Sequence, residues 1–244
     1  MNISIFGGSF ACRNTLTSNP AWFDILGERL GATSVTPFGR GGSSVFDAYK
    51  IFLENYKNFD LNIVLVTHWG QYTKEFRGTW KNGREEKIII SSLSSVEDVM
   101  KNYDWSDSSL EHLTRIKSWF IANVDEYEVL IRELMLQDIE NKDPNVVLIV
   151  GSNRGPKDNL FSDERRKKQF STGIGDYFSA QMKRFPDNGS LIERDTVMQT
   201  HFIPEASKIF ADAVYQYITT GEWPIVPEFI DHEFPVEHYY TIRT

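Results

Sequence analysis

The chain has 244 residues, enough for one large domain or two small ones, and its 41% hydrophobic and 25% charged residues are ordinary for a globular protein. A formal net charge of -8 argues against a nucleic acid or an anionic membrane surface as the main partner. The single cysteine, Cys12, excludes an internal disulfide and a cysteine-based zinc site, and no apolar run reaches the ~20 residues of a membrane span. Because the N-terminus leads straight into a strand without a secretory signal, a cytoplasmic location is the default expectation, with association with a virion as the alternative.

The opening stretch predicts a short buried strand over residues 3–6, followed by Gly7, Gly8 and Ser9. Glycine allows a tight turn and removes side chains that would block access to it. Ligands of open α/β sheets bind outside the carboxyl ends of the strands, so Ser9 lies where a nucleophile would be placed. The alternative is a turn serine without a chemical role.

Helix and strand patterns alternate through much of the remaining chain. Apolar residues at helical spacing predict helices over residues 20–31 and 45–56. Apolar or β-branched runs of strand length predict three further strands, at residues 33–36, 61–67 and 146–150. This alternation indicates one α/β domain with a mostly parallel sheet, which we assign to residues 1–221.

A segment of different character interrupts the alternation at about residues 73–144. Two strand patterns on either side of Asn82 and Gly83 predict a β-hairpin. One long helix is expected next, capped by Ser108 and with an apolar stripe made of Leu113, Ile116, Phe120, Tyr127, Ile131 and Leu134. We interpret the hairpin and part of this helix as an insertion into the α/β domain.

The C-terminal part predicts helical pieces over residues 162–184, a short strand at 191–192 and a helix over 204–218. Pro204 stands in the first turn of that helix and Gly221 follows its end. Residues 222–244 are rich in proline, aromatic and acidic residues and show no periodicity. We expect them to form an extended arm that lies on the body of the protein or on a partner, which could be another protein or a second copy of the chain.

Parallel strands bring the segments that follow them to one edge of the sheet, and these segments carry the parts needed for acyl transfer. Ser9 would be the nucleophile, and His201, just before the Pro-initiated helix, would be its base. The backbone N–H groups of Ser9 and Gly42 and the side-chain amide of Gln71 would stabilise the oxyanion. His68, Trp69, Arg40 and Arg154 lie in the same segments and are candidates for the substrate pocket.

The order and content of these blocks resemble the SGNH (GDSL-type) hydrolase family. The matching blocks are Gly7-Gly8-Ser9, the stretch FGRGGSS with Gly42 at the oxyanion-hole position, Trp69-Gly70-Gln71-Tyr72, and Met198-Gln199-Thr200-His201. The resemblance covers about residues 1–72 and 145–218. It implies a three-layer α/β/α fold and a serine esterase or deacylase activity.

Three positions depart from the family pattern. Gly8 replaces an aspartate, Gln71 replaces an asparagine, and Met198 stands where the aspartate that orients the histidine is expected. Such a carboxylate fixes the tautomer of the imidazole and stabilises the imidazolium. Asp195 could take this role, His201 could instead contact a backbone carbonyl in a Ser-His dyad, or the fold could have lost its chemistry.

The leading hypothesis is therefore an ester hydrolase that acts on a small acyl group, such as acetyl, carried on a carbohydrate; the substrate class rests on the resemblance and the aromatic content. The alternative is an inactive SGNH-like module that binds carbohydrate or protein in a larger assembly, for example a virion. A flavodoxin-like binding domain is a third interpretation. Without GxGxxG or GK[ST] motifs we expect no cofactor, and the acidic and histidine residues after position 230 match no metal-ligand spacing.

Overall fold

The computed structural model of the chain describes residues 1–13, 20–39, 44–66, 74–90, 93–122, 125–151, 161, 164–182 and 202–230. The strands in these ranges are β1 (Asn2–Phe6), β2 (Ser34–Pro37), β3 (Leu61–Val66), β4 (Lys74–Thr79), β5 (Glu85–Ile90) and β6 (Val147–Val150). The helices are α1 (Trp22–Arg29), α2 (Val45–Asn55), α3 (Leu93–Asn102), α4 (Asp107–Ala122), α5 (Asp125–Lys142), α6 (Glu164–Gln169), α7 (Ile174–Met182) and α8 (Pro204–Thr220).

Four of the strands form one parallel sheet in the order β2-β1-β3-β6. This arrangement confirms the α/β class and the parallel sheet expected from the alternating patterns. The chain passes from β1 to β2 on one side and then returns across β1 to β3 on the other, so the strand order reverses between β1 and β3. Beyond β6, Gly173 forms an isolated parallel bridge with Val150 at the carboxyl end of that strand.

Side chains alternate along each strand, so both faces of the sheet carry apolar side chains. Helices cover both faces. The first core cluster combines Ile3 and Ile5 of β1 with buried side chains of α1, α7 and α8, among them Phe23, Tyr177 and Phe210. The second combines Phe6 with buried side chains of α2 and α5, among them Phe52 and Leu136. The arrangement is compatible with a three-layer α/β/α fold.

A buried polar network fastens the amino-terminal half of the sheet. The hydroxyl of Ser4 donates to Asn62 Oδ1 at 2.5 Å, joining β1 to β3. The amide nitrogen of Asn62 then donates to Asp143 Oδ2 at 2.7 Å and to the carbonyl oxygen of Tyr56 at 3.0 Å. Each buried polar side chain in the network therefore has partners, as buried polar groups require.

The hairpin expected around Asn82 and Gly83 is confirmed. Strands β4 and β5 pair antiparallel, and Gly83 has a φ of 85°, which favours glycine. The hairpin shares a third core cluster with α3 and α4, made of Phe76, Ile90, Val96, Val99, Trp105, Leu113 and Ile116. This part of the chain therefore buries apolar side chains of its own, separate from the two clusters on the main sheet.

The prediction of one long helix after the hairpin is wrong. The segment contains α3, α4 and α5, and the hydroxyl of Ser106, rather than Ser108, accepts the N–H of Ser109 at 3.4 Å in the first turn of α4. The predicted apolar stripe does not extend to Leu134, whose side chain is 61% exposed. Helix α5 is a separate helix that begins at Asp125, and other residues of it face the core. The buried side chains of α5 include Met135, Leu136 and Ile139.

The two helices with the clearest sequence signals are found close to their expected positions. Helix α1 begins two residues after Pro20, and the carboxylate of Asp24 accepts the N–H of Ala21 at 3.2 Å in its first turn. Helix α8 begins at Pro204 and ends at Thr220, and Gly221, with a φ of 75°, caps it. The short strand expected at residues 191–192 lies outside the described residues.

The start of the predicted arm lies on the body of the protein. The indole of Trp223 stacks on the ring of Tyr217 with centroids 4.5 Å apart, and the N–H of buried Ile230 donates to the carbonyl oxygen of Ala180 at 3.1 Å. Between these contacts Ile225 is 96% exposed. Residues 231–244 lie outside the described part of the chain.

The outer edge of β2 is occupied by a side chain. The guanidinium of Arg13 donates to the carbonyl oxygen of Val35 at 3.1 Å and pairs with Asp24 at 2.8 Å. Pro37, the last residue of β2, has no amide hydrogen to donate.

Within the described ranges, no helix is long and apolar enough to cross a membrane.

Candidate functional site

Ser9 lies at the carboxyl end of β1, as the sequence predicts. Gly7 and Gly8 follow the strand directly, and Ser9 begins a single 3-10 turn that ends at Ala11. Two backbone hydrogen bonds hold this turn, from Ala11 N–H to Gly8 O at 3.0 Å and from Cys12 N–H to Ser9 O at 3.1 Å. Ser9 is half-buried.

The position of this turn corresponds to the usual ligand crevice of an open parallel sheet. Strand β1 lies between β2 and β3, and the strand order reverses between β1 and β3. In doubly wound sheets ligands bind outside the carboxyl ends of the strands at such a reversal. The fold therefore provides a chemically useful location for the hydroxyl of Ser9.

Two close backbone approaches around the Ser9 turn require glycine. A Cβ atom on Gly7 would lie 2.7 Å from Cβ of Leu65 on β3. A Cβ atom on Gly39 would lie 2.2 Å from the carbonyl carbon of Ala11, and Gly39 N–H donates to Ala11 O at 3.1 Å. Gly39 begins the glycine-rich segment, residues 39–44, and the start of this segment is therefore in contact with the turn that carries Ser9.

The other end of the glycine-rich segment is fixed by a reciprocal cap. The hydroxyl of Ser44 accepts the N–H of Asp47 at 3.2 Å, and the carboxylate of Asp47 accepts the N–H of Ser44 at 2.9 Å. Ser44 is fully buried. Four residues separate Gly39 from Ser44, so both ends of the segment predicted to supply an oxyanion donor have defined positions.

Aromatic contacts join the Ser9 turn to the start of α8. The ring of Phe10, the residue after Ser9, lies 5.2 Å from the ring of Phe202, the residue after His201. Phe178 of α7 completes the group, with its ring 5.8 Å from Phe10 and 6.4 Å from Phe202. The residue after Ser9 and the residue after His201 are therefore in contact.

The backbone at both sides of this contact is held by hydrogen bonds. The indole nitrogen of Trp22 donates to the carbonyl oxygen of Phe10 at 2.9 Å. At the start of α8, Ile203 N–H donates to Oε1 of the fully buried Gln181 of α7 at 2.9 Å. These bonds fix the Ser9 turn against α1 and the entry to α8 against α7.

Tyr177, next to Phe178, is the strongly perturbed titratable group in this region. Burial, with a smaller effect of the Asp176 carboxylate, raises the pKa of Tyr177 to about 12. Its hydroxyl finds no hydrogen-bond partner in the described part of the chain. The phenol therefore stays neutral at physiological pH and is not a candidate base.

Of the predicted site residues, Ser9 is the one that the structure describes. The others lie outside the described residues: Arg40, Gly42, His68, Trp69, Gln71, Arg154, Asp195 and His201. Among the described residues, no group of three His, Cys, Asp or Glu side chains could hold a metal ion. The acidic and histidine residues after position 230 are not part of that search.

Sequence reasoning missed the aromatic group beside Ser9. Phe10 and Phe202 each adjoin a residue that the sequence singles out, but their contact joins two distant parts of the chain. Phe178 lies in a segment predicted only as helical pieces, with no signal that it approaches β1. Such contacts follow from tertiary packing and leave no local pattern.

No protein-family model matches this chain, and a comparison with curated proteins finds no match. The functional interpretation therefore rests on the sequence pattern and on the geometry around the carboxyl end of β1.

Proposed function

We propose that the chain is a serine esterase or deacylase of SGNH type, with Ser9 as nucleophile and His201 as its base. The observation that carries the proposal is the contact of Phe10 with Phe202 at 5.2 Å, since each is the immediate chain neighbour of one of these two residues. A nucleophile and its base must lie in one region of the molecule, and the contact brings the residue after Ser9 to the residue after His201. The reversal of strand order beside Ser9 gives independent support.

In the proposed reaction, Ser9 Oγ attacks the ester carbonyl carbon while His201 accepts the hydroxyl proton. The tetrahedral oxyanion accepts hydrogen bonds from the N–H groups of Ser9 and Gly42 and from the amide of Gln71. Collapse of this intermediate breaks the bond to the alcohol, which leaves with the proton from His201. Water then attacks the acyl-enzyme, with His201 as base again, and releases the carboxylic acid. Asp195 is the proposed orienting carboxylate.

The surroundings of the glycine-rich segment support the proposed oxyanion donor. Gly39 contacts Ala11 of the Ser9 turn, and Ser44 caps α2 from a fully buried position. Gly42 lies between these anchors in the sequence. We propose a carbohydrate as the alcohol of the ester, on the basis of the family resemblance, with Arg40, His68, Trp69 and Arg154 as pocket residues.

The test is covalent labelling of the full chain with a fluorophosphonate probe, together with hydrolysis of p-nitrophenyl acetate. Wild-type protein should be labelled on Ser9 and should turn over the ester, and both Ser9→Ala and His201→Ala should lose turnover by at least about a hundredfold. Cys12→Ala is the matched control, because Cys12 directly follows the same turn and is a competing nucleophile. Unchanged turnover by Ser9→Ala would overturn the proposal.

A second candidate function, a binding module without catalysis, is favoured by exposed apolar residues on the arm. Ile225 is 96% and Phe229 54% exposed, although their neighbours Trp223 and Ile230 pack on the body. Such residues suit contact with a protein partner or a second copy of the chain. This function predicts a folded protein without esterase activity, whose self-association or partner binding weakens in Ile225→Ser.

A further inference from the structure

We infer that Phe10, Phe178 and Phe202 form an apolar wall that binds the acyl group of the ester. The inference rests on the proposed function and names the substrate class of the same site: an ester of an apolar acyl group larger than the acetyl group expected from the sequence. We refer to these three residues as the phenylalanine wall.

Three separate elements contribute to the phenylalanine wall. Phe10 comes from the turn after β1, Phe178 from α7 and Phe202 from the residue pair before α8. The ring centroids lie 5.2 Å apart for Phe10 and Phe202, 5.8 Å for Phe10 and Phe178, and 6.4 Å for Phe178 and Phe202. All three pairs fall in the range of favourable aromatic contacts, so the group is one packed surface.

The exposure of these rings distinguishes the phenylalanine wall from the interior of the protein. Phe10, Phe178 and Phe202 are each half-buried. Phe210, whose ring lies 5.4 Å from Phe202 on the inner side, is fully buried. The phenylalanine wall is therefore the solvent-facing end of the aromatic core, and part of its surface is exposed to solvent.

The location of the phenylalanine wall relates it to the acyl group rather than to the alcohol. Phe10 is bonded to Ser9, the residue that would carry the acyl group, so its Cα lies about 3.8 Å from the Cα of Ser9. Trp22 fixes the carbonyl of Phe10 at 2.9 Å, which limits movement of this side of the wall. The first ring of the wall thus belongs to the residue next to the one that would carry the acyl group, and its backbone is held in place.

The apolar surface of the phenylalanine wall sets the expected preference among acyl groups of different length. Each buried methylene contributes roughly a fourfold gain in kcat/KM when it leaves water for an apolar surface. An acetyl group has little to bury, whereas a hexanoyl group carries four more carbons. With about half of those methylenes in contact, wild-type protein should prefer p-nitrophenyl hexanoate to p-nitrophenyl acetate by roughly fifteenfold.

The experiment compares the ratio of kcat/KM for hexanoate and acetate in wild-type protein, Phe178→Ala and Phe178→Leu. Phe178→Ala should lower the ratio by about fivefold, and Phe178→Leu, which retains an apolar side chain, by less than about twofold. Phe52→Leu is the control, because Phe52 is fully buried in the cluster on the opposite face of the sheet. The ratio cancels any loss of folded protein, so the control should leave it unchanged.

The outcomes separate this inference from the proposed function. If Ser9→Ala abolishes turnover but both Phe178 variants keep the wild-type ratio, the phenylalanine wall is not the acyl site, while the proposed function stands. If wild-type protein prefers acetate, the inference is overturned in the same way. If Ser9→Ala retains turnover, or if wild-type protein hydrolyses neither ester, the proposed function fails and the inference fails with it.

Discussion

The ring of Phe10 lies 5.2 Å from the ring of Phe202, although the two residues are far apart in the sequence. One follows the serine after β1, and the other follows the histidine before α8. The residues that follow two candidate functional positions, far apart in the sequence, are thus in contact through their aromatic rings. The entry to α8 is also held in place by Gln181, whose Oε1 accepts the N–H of Ile203.

Gly39→Ala should destabilise the protein and disturb the Ser9 turn. The added Cβ would lie 2.2 Å from the carbonyl carbon of Ala11, a backbone atom that cannot rotate away. We expect a loss of about 2–3 kcal/mol in the free energy of unfolding, measured by urea denaturation. Fluorophosphonate labelling of Ser9 should fall by more than the folded fraction does, because Gly39 contacts the turn itself.

The matched control for Gly39→Ala is Gly31→Asn. Gly31 has a φ of 63°, a conformation that asparagine tolerates, and an added Cβ would meet nothing within 4 Å. This variant should change the free energy of unfolding by less than about 1 kcal/mol. Equal destabilisation by the two substitutions would show that the contact between Gly39 and Ala11 is not the cause.

Two buried or half-buried tyrosines should respond in opposite directions to replacement by phenylalanine. Tyr49 donates its hydroxyl to Asp138 Oδ2 at 2.7 Å, so Tyr49→Phe should cost about 1–2 kcal/mol of stability. Tyr177 is 1% exposed and its hydroxyl has no partner in the described part of the chain. Tyr177→Phe should therefore keep or raise stability, by up to about 1 kcal/mol, in the same denaturation measurement.

The same tyrosines make stability sensitive to alkaline pH. Burial raises the pKa of both to about 12 from the ordinary value of 10.0, with Asp138 adding to the effect at Tyr49. The folded state therefore holds each proton more tightly than the unfolded state does. Neither group lowers stability below pH 10, and ionisation of both lowers it as the pH rises from 10 through 12. A double phenylalanine variant should show a shallower loss over this interval, and an unchanged slope would contradict the assignment.

Arg166→Ala should be among the most damaging substitutions in α6. The guanidinium is 1% exposed and makes two hydrogen bonds to the carboxylate of Glu140, at 2.8 and 2.7 Å, and a third contact to Glu133 at 3.3 Å. Removing it leaves carboxylates without their buried partner, so we expect a loss of about 3–5 kcal/mol in thermal or urea unfolding.

The neighbouring Lys167 supplies the control for Arg166. Its ammonium pairs with Glu164 at 2.9 Å within α6, where the carboxylate side chain is 89% exposed. Exposed pairs of this kind contribute little, so Lys167→Ala should cost less than about 1 kcal/mol. Similar losses for the two variants would mean that burial of the Arg166 pair with Glu140 does not decide its contribution.

The main sheet could be predicted because its strands carry strong local signals. The continuous apolar run of β3 and the glycine stop after β1 identify buried parallel strands, and Asn82-Gly83 identifies the hairpin turn. The helical part of the insertion could not be predicted equally well. Helix α3 has serines in its first turn, and the separate start of α5 changes which residues face inward.

The candidate site could be predicted only as far as local pattern extends. Ser9 follows from the strand and its glycine stop, both of which precede it in the sequence. The phenylalanine wall depends on how α7 packs beside β1 and α8, and side-chain spacing within α7 carries no information about that. The close approach of Gly39 to Ala11 is likewise a product of packing, although the glycine itself is visible in the sequence.

The hydrogen bond from Arg13 to Val35, with Pro37 at the end of the same strand, has a consequence for growth of the sheet. An extended peptide can dock on an exposed strand only where carbonyl oxygens and amide hydrogens are free to pair. Here one acceptor is taken by a guanidinium and one donor does not exist. The β2 edge is therefore a poor template for strand addition while Arg13 stays in place.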